Sequence, residues 1–144
     1  VLFDLNEFKQ VNDVYGHDAG DEVLINIAQQ IKKSVRRNDL TCRWGGDEFV
    51  LVLTHIQEQD ARDLSEKLAT RIKKHYCLSR YDKNVSIGAS MGASSYPEDG
   101  VDLQNLIQLA DQAMYVVKRQ KESNPELNIL FAREVNSPKA SKTL

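Results

Sequence analysis

The 144-residue chain has only two cysteines, three prolines and one tryptophan. Cys42 and Cys77 lie 35 positions apart, with neither a CxxC pair nor a zinc-type spacing. That excludes a disulfide scaffold and a zinc module, and both are expected to be free, buried thiols in a reducing compartment. No apolar run approaches the roughly 18 residues that a membrane span needs. No signal-peptide pattern precedes the first apolar segment. No charge of one sign dominates: 19 Lys and Arg face 21 Asp and Glu, a net charge of −2. This excludes a generally basic binder, so no DNA, RNA or membrane contact is expected of the domain itself, and only a local basic pocket stays open. What is present is 41% hydrophobic and 28% charged, the mix of a soluble globular protein. The expectation is one cytosolic domain with one core.

The patterning gives a coarse order of elements. Residues 1–5 form a short apolar run that reads as a buried strand, already begun at Val1, so the chain is expected to be a piece of a longer protein. Residues 6–21 are rich in Asn, Asp and Gly and read as loop or short helix. Residues 22–37 place Val23, Leu24, Ile27, Ala28, Ile31 and Val35 on one helical face. Residues 39–43 and 49–53 read as strands joined by a tight turn at Gly45-Gly46-Asp47-Glu48. A second amphipathic helix is predicted over 59–76 and a single central strand over 85–93. A third helix is capped by Asp102, and a last strand covers 128–132. The resulting class is α+β: a ferredoxin-like or palm-type split βαβ core with a central antiparallel sheet, flanked by helices placed against one face. The domain is expected to span 1–133, with 134–144 a disordered tail.

The chemistry concentrates at strand ends. Asp47 and Glu48 are adjacent acids at the mouth of the apolar strand Phe49-Val50-Leu51-Val52-Leu53. Neighbouring carboxylates repel there, and desolvation makes the repulsion worse. A divalent cation held by hard oxygen ligands relieves it, which points to Mg²⁺ or Mn²⁺. Taken alone, the turn reads more readily as an exposed acidic loop. Asp4, however, ends a strand that would lie antiparallel to the one starting at Phe49. Asp4 and Asp47 then converge, as in two-metal nucleotidyl transfer, although Asp4 alone could equally cap the next segment. Lys9, Asn12, His17 and Asp21 cluster after the first strand. A carboxylate with an amide can read the N1–H and N2–H₂ edge of guanine, while isolated Asn and Asp are more often helix caps. The remaining histidines, His55 and His75, and the methionines Met91 and Met114 read as structural or surface residues.

Gly45-Gly46-Asp47-Glu48-Phe49 is the pentapeptide of the GGDEF family of bacterial diguanylate cyclases, expected by chance in about 1 of 20,000 chains this long. The flanking Asp4-Leu5-Asn6-Glu7-Phe8-Lys9, Asn12-Asp13, Gly16-His17, Gly20-Asp21, Ser86-Ile87-Gly88-Ala89, Ala110-Asp111 and Tyr115 resemble the family too. The resemblance runs from residue 1 to about residue 120. The family's domain normally has a further N-terminal helix and strand.

The resemblance implies a diguanylate cyclase that joins two GTP molecules into cyclic di-GMP across a homodimer, releasing two pyrophosphates. It implies Asp4, Asp47 and the Leu5 carbonyl as Mg²⁺ (or Mn²⁺) ligands, and Glu48 as the neighbouring acid that helps bind metal or assists deprotonation of the attacking 3′-hydroxyl. Asn12 and Asp21 resemble the guanine readers, with His17 positioning their loop. Lys9 and Lys118 resemble phosphate contacts, and Gly45 and Gly46 the loop under ribose and phosphates. Arg36 and Asp39, an RxxD separated from Gly45 by residues 40–44, resemble the family's inhibitory product site. Trp44 is expected to pack, and Arg43 to face the phosphates. Two positions depart from the pattern. Asn6 replaces an Asp, and Glu122 stands where the family commonly has an Arg, with Lys121 or Arg119 as the candidate compensating cation. The alternative reading is a weak or inactive module that binds GTP or cyclic di-GMP and regulates an attached domain.

Overall fold

The computed structural model describes residues 1–78 and 80–135. The His75 side chain and residues 136–144 of the expected 134–144 tail lie outside the described residues, while Glu134 and Val135, expected in that tail, are helical.

Strand β1 (Leu2–Asn6) is followed by helices α1 (Phe8–Tyr15) and α2 (His17–Ser34). The hairpin of β2 (Leu40–Gly45) and β3 (Glu48–Val52) leads into α3 (Glu58–Ile72), a small hairpin β4 (His75–Leu78) and β5 (Lys83–Ser86), then β6 (Gly88–Ala93). Helix α4 (Leu103–Gln120), β7 (Ile129–Phe131) and the short α5 (Ala132–Val135) complete the chain. The main sheet runs β2-β3-β1-β6-β7, and β4-β5 form a separate two-stranded sheet. Pairing in the main sheet is antiparallel except at the β6-β7 edge, where β7 adds in parallel.

Alternation along the strands assigns the two faces. Phe3, Leu5, Phe49, Leu51 and Met91 join Val23, Ile27, Leu68 and Ile72 of α2 and α3 in the larger core. Phe3 and Phe49, paired across β1 and β3, stack with ring centroids 5.1 Å apart. Leu2 and Val50 instead meet Ala110 and Met114 of α4. Helices therefore cover both faces, not one as the sequence pattern suggested. The even-numbered positions of β1 and β3 include the apolar Leu2 and Val50, which need cover of their own on the second face.

Three boundaries also differ. Helix α2 begins at His17, ahead of the predicted start at Glu22, so it takes in Asp21. The helix predicted to reach Tyr76 stops at Ile72, because Tyr76 and Leu78 join the core from strand β4. The strand predicted over 85–93 breaks at the fully buried Ile87 into β5 and β6, which belong to different sheets. Asp102 caps α4 as expected, its Oδ2 accepting from the Asn105 N–H at 2.9 Å. Both cysteines are free but exposed, correcting the expectation of burial, because β2 is an edge strand and β4 lies in the small hairpin.

Helix α4 lies against β6 at Gly92, where an added Cβ would sit 1.9 Å from the Ala110 carbonyl oxygen and 2.3 Å from the Met114 nitrogen. Both are backbone atoms, so a methyl there must push the helix off the sheet. Gly92→Ala is expected to destabilise the domain by about 3 kcal/mol in urea unfolding.

Candidate functional site

The site begins at the antiparallel pairing of β1 with β3, which sets Asp4 directly opposite Glu48. The ladder continues into the turn, where the Leu5 N–H donates to the Asp47 carbonyl at 3.1 Å. The turn itself is held by Arg43, whose Nε donates to the Gly46 carbonyl at 2.9 Å. Gly46 takes φ +41°, a left-handed conformation that favours glycine, and the space beside Gly45 and Gly46 is open. The register slips between Arg43 and Gly45, and Trp44 at that irregularity is 57% exposed. Trp44 therefore does not pack as expected, because the irregularity turns it outward at a sheet edge.

Asp4 is buried at 7% exposure on the α4 side of the sheet. Its Oδ2 accepts from Lys118 Nζ at 2.6 Å, while its Oδ1 is buried without any hydrogen-bond partner. Lys118 comes from the last turn of α4, 114 residues away in the chain. Asp4, Glu48 and Lys118 line one cavity of about 580 Å³, together with Asp111, Met114 and Tyr115 of α4. Burial pushes the Asp4 carboxyl up, Asp47 adds to the rise, and Lys118 opposes it. Glu48 is also raised, by burial and then by the charges of Asp4, Asp47 and Asp111. Lys118 is raised, chiefly by its hydrogen bond to Asp4.

This donor set suits a hard divalent cation. The partnerless Asp4 oxygen and the mutually repelling carboxylates are costs that such an ion removes. Among the described residues, no three Asp, Glu, His or Cys side chains form a ready-made cage, so a bound cation would draw further oxygens from outside them.

The expected base-reading residues lie at the elbow between α1 and α2, where Gly16 takes φ +87°. Asn12 is half-buried, and its Oδ1 has no partner. A Cβ on Gly20 would lie 1.9 Å from that oxygen, so only glycine permits this approach, and Asp21 follows exposed on α2. Lys9 and His17 are exposed on the same two helices. The β4-β5 hairpin props the elbow from outside: Tyr81 donates its hydroxyl hydrogen to the Tyr15 carbonyl at 2.7 Å.

The RxxD pair separates into two environments. Asp39 is buried, with Oδ2 accepting from the Arg36 N–H at 2.8 Å and Oδ1 from the Thr54 N–H at 3.0 Å. It braces the loop after α2 against the end of β3, and Arg36 is left exposed beside Lys33, Lys67 and Arg71 in a second cavity of about 380 Å³. Lys121, a candidate compensating cation, is engaged within the fold. Its ammonium donates to the Leu127 carbonyl and to Asn128 Oδ1, both at 2.8 Å, and burial lowers its pKa. Sequence reasoning assigned no role to Asp111, yet it lines the cavity. Its spacing from Tyr115 and Lys118, four and seven residues on one helix, is the signal that places all three on one face.

Comparison with known proteins agrees with this geometry. The family of the Diguanylate cyclase, GGDEF domain matches residues 1–124. The chain belongs to the GGDEF family. It is 48% identical over 121 residues to the bifunctional diguanylate cyclase/cyclic di-GMP phosphodiesterase MucR of Pseudomonas aeruginosa, covering 83% of this chain and 17% of MucR. It is 34% identical to the diguanylate cyclase DosC of Escherichia coli, covering 88% of this chain and 27% of DosC. A solved GGDEF-only fragment of TpbB from Pseudomonas aeruginosa superposes with a TM-score of 0.84 at 34% identity, covering 98% of this chain and 79% of that one. The GGDEF domain thus spans under a third of the curated relatives' length, and the palm-like fold expected from the sequence is shared with the solved domain.

The raised Glu48 pKa gives this GGDEF domain a pH signature. An acid whose folded pKa lies above its ordinary 4.5 contributes stability that is present below that value and lost as pH rises through the folded value. Glu48→Gln is therefore expected to melt a few degrees higher than wild type at pH 7 without metal. The gap should close at pH 4; an equal gap at both values would remove the electrostatic account.

Proposed function

We propose that this GGDEF domain is a diguanylate cyclase. The observation that carries the reading is the convergence of Asp4, Asp47 and Glu48, from two paired strands, with a buried Asp4 oxygen that lacks a partner. Diguanylate cyclases of this family are metal-dependent nucleotidyltransferases. Here Asp4, Asp47 and the Leu5 carbonyl would hold Mg²⁺ (or Mn²⁺), which supplies Lewis-acid stabilisation of charge on the α-phosphate when bound.

Each domain takes one GTP. Asn12 and Asp21 read the guanine, His17 steadies their elbow, and the open faces of Gly45 and Gly46 leave room for ribose and phosphates. Lys9 and Lys118 neutralise the triphosphate. Glu48, its pKa raised by burial and the neighbouring carboxylates, takes the proton from the 3′-hydroxyl as that oxygen attacks the α-phosphorus of the GTP held by a second copy. Pyrophosphate leaves with the broken P–O bond. The reciprocal attack closes cyclic di-GMP, so the active state is a two-fold homodimer. Arg36, with Asp39 fixing its loop, receives the product as an inhibitor. The unbridged cysteines fit a reducing cytoplasm, and among the described residues no helix is long and apolar enough to cross a membrane.

A second reading rests on Glu122. It puts an anion where the family commonly has Arg, and Lys121 is occupied elsewhere. A module that binds GTP or cyclic di-GMP without turnover would then regulate an attached domain.

Incubation at high protein concentration with GTP and Mg²⁺, followed by chromatography, separates the two. Cyclic di-GMP and pyrophosphate are expected from wild type, and none from Asp47→Ala at unchanged fold. Binding of GTP by calorimetry with no product favours the regulatory module. Arg36→Ala is expected to relieve product inhibition with the melting temperature unchanged. Asp39→Ala is expected to cost about 2 kcal/mol of stability as well, because two backbone N–H groups lose their acceptor.

A further inference from the structure

Among the described residues, Lys118 is the one cation lining the cavity that carries Asp4, Glu48 and Asp111. It does not point freely toward that space. Its ammonium lies 2.6 Å from Asp4 Oδ2, and Asp47 and Glu48 attract it as well. The carboxylate it holds is 10% exposed, whereas the lysine side chain itself is 50% exposed. The acid is thus fixed by its strand, while the lysine is a flexible stem with room to swing into solvent.

We infer that Lys118 selects metal-loaded nucleotide over free metal, by occupying the Asp4 carboxylate with its own ammonium until a triphosphate draws it away. The inference rests on the proposed metal and GTP site and adds a discrimination to it. A divalent cation arriving alone must bind the same carboxylate against the charge of the ammonium, and it brings no new anion for Lys118 to move to. It meets one Asp4 oxygen already engaged and a local positive charge. A cation arriving with a triphosphate brings that second anion. Lys118 exchanges carboxylate for phosphate while Asp4 exchanges ammonium for metal, and no buried charge is left unpaired during the exchange. Linkage makes the coupling reciprocal: if a triphosphate raises metal affinity by drawing Lys118 off Asp4, bound metal raises triphosphate affinity by the same factor.

The strand geometry supports this ordering. Asp4 Oδ1 is buried and partnerless, so it is ready for a cation, whereas Oδ2 is the oxygen Lys118 holds. Arg119, the next residue, lies 5.9 Å from the Tyr115 ring centroid. It carries the same charge from the adjacent position but is turned toward Tyr115, which makes it the control for a general change in potential.

The test is Mn²⁺ binding to the nucleotide-free protein, followed by the loss of free-ion signal in electron paramagnetic resonance. Lys118→Met is expected to bind Mn²⁺ roughly tenfold more tightly than wild type, in the range of ordinary site-to-site coupling. Arg119→Met should stay within about twofold of wild type, as expected for an exposed charge off the site. Adding Asp4→Asn to Lys118→Met should abolish the gain. Circular dichroism melts confirm that each variant is folded. If Lys118→Met and wild type bind Mn²⁺ equally while wild type takes up preformed Mn²⁺·GTP, the selection by Lys118 is overturned and the cyclase reading stands. Equal gains from Lys118→Met and Arg119→Met also overturn it, since the effect is then general charge. If wild type takes up neither Mn²⁺ nor Mn²⁺·GTP, the metal site itself fails, and the inference fails with it.

Discussion

The register of β1, the middle strand of the main sheet, decides which face of the sheet carries each of its side chains. With Leu2 opposite Val50 and Asp4 opposite Glu48, the even positions face α4 and the odd positions Phe3 and Leu5 enter the larger core. A slip of one residue would bury Asp4 among the phenylalanines and turn Phe3 toward the cavity. The stacked Phe3–Phe49 pair makes that slip costly, because it would remove a ring contact as well as bury a carboxylate. Packing on one face thus fixes the position of the chemistry on the other. The same strand is held from its second side by β6, with Asp4 opposite Ser90, so the acid has little freedom to adjust.

That rigidity explains the electrostatics. Carboxylates set by strand positions cannot separate to relieve their repulsion, and burial of Asp4 adds to it. The relief comes from a residue on a different element, Lys118, which α4 can deliver only because Gly92 lets the helix lie against the sheet. The site is therefore a compromise of stability for ligand affinity. Its acids are raised, one oxygen has no partner, and the cation that steadies them is the most easily moved part.

Much of this was legible in the chain itself. Asp4 at the end of one apolar run and Asp47-Glu48 at the head of another imply convergence once the runs pair antiparallel, and they do. The long helix with Asp102 at its cap was equally plain. Other features were hidden for physical reasons. Tyr76 continues the helical spacing of α3, and only the core contact of β4 shows that it belongs to a strand. The split at Ile87 cannot be read from an alternating Ser/Gly-rich stretch, since both halves are extended. Cys42 and Trp44 look like core residues by type, and their exposure follows from β2 being an edge strand with an irregular register. Asp39 was visible as part of an RxxD, but its two backbone partners were not, because Thr54 lies 15 residues away.

The supply of positive charge follows from the same geometry. A triphosphate needs cations, and the sequence offers Lys118, Arg119 and Lys121 in succession at the end of α4. Lys118 and Arg119 are neighbours in the helix and point about 100° apart, whereas Lys121, three residues beyond Lys118, lies nearer its face but is engaged elsewhere. Lys118 turns to Asp4. Arg119 lies toward Tyr115, and Lys121 reaches across to Asn128, which in turn donates to Glu66 of α3. Lys121 thus ties α4 to the β7 approach and to α3, and withdrawing it to serve a phosphate would leave the Leu127 carbonyl and Asn128 without their donor. With Arg119 and Lys121 turned elsewhere, Lys118 is the cation that α4 brings to the cavity, and in the exchange inferred above it would serve Asp4 and phosphate in turn.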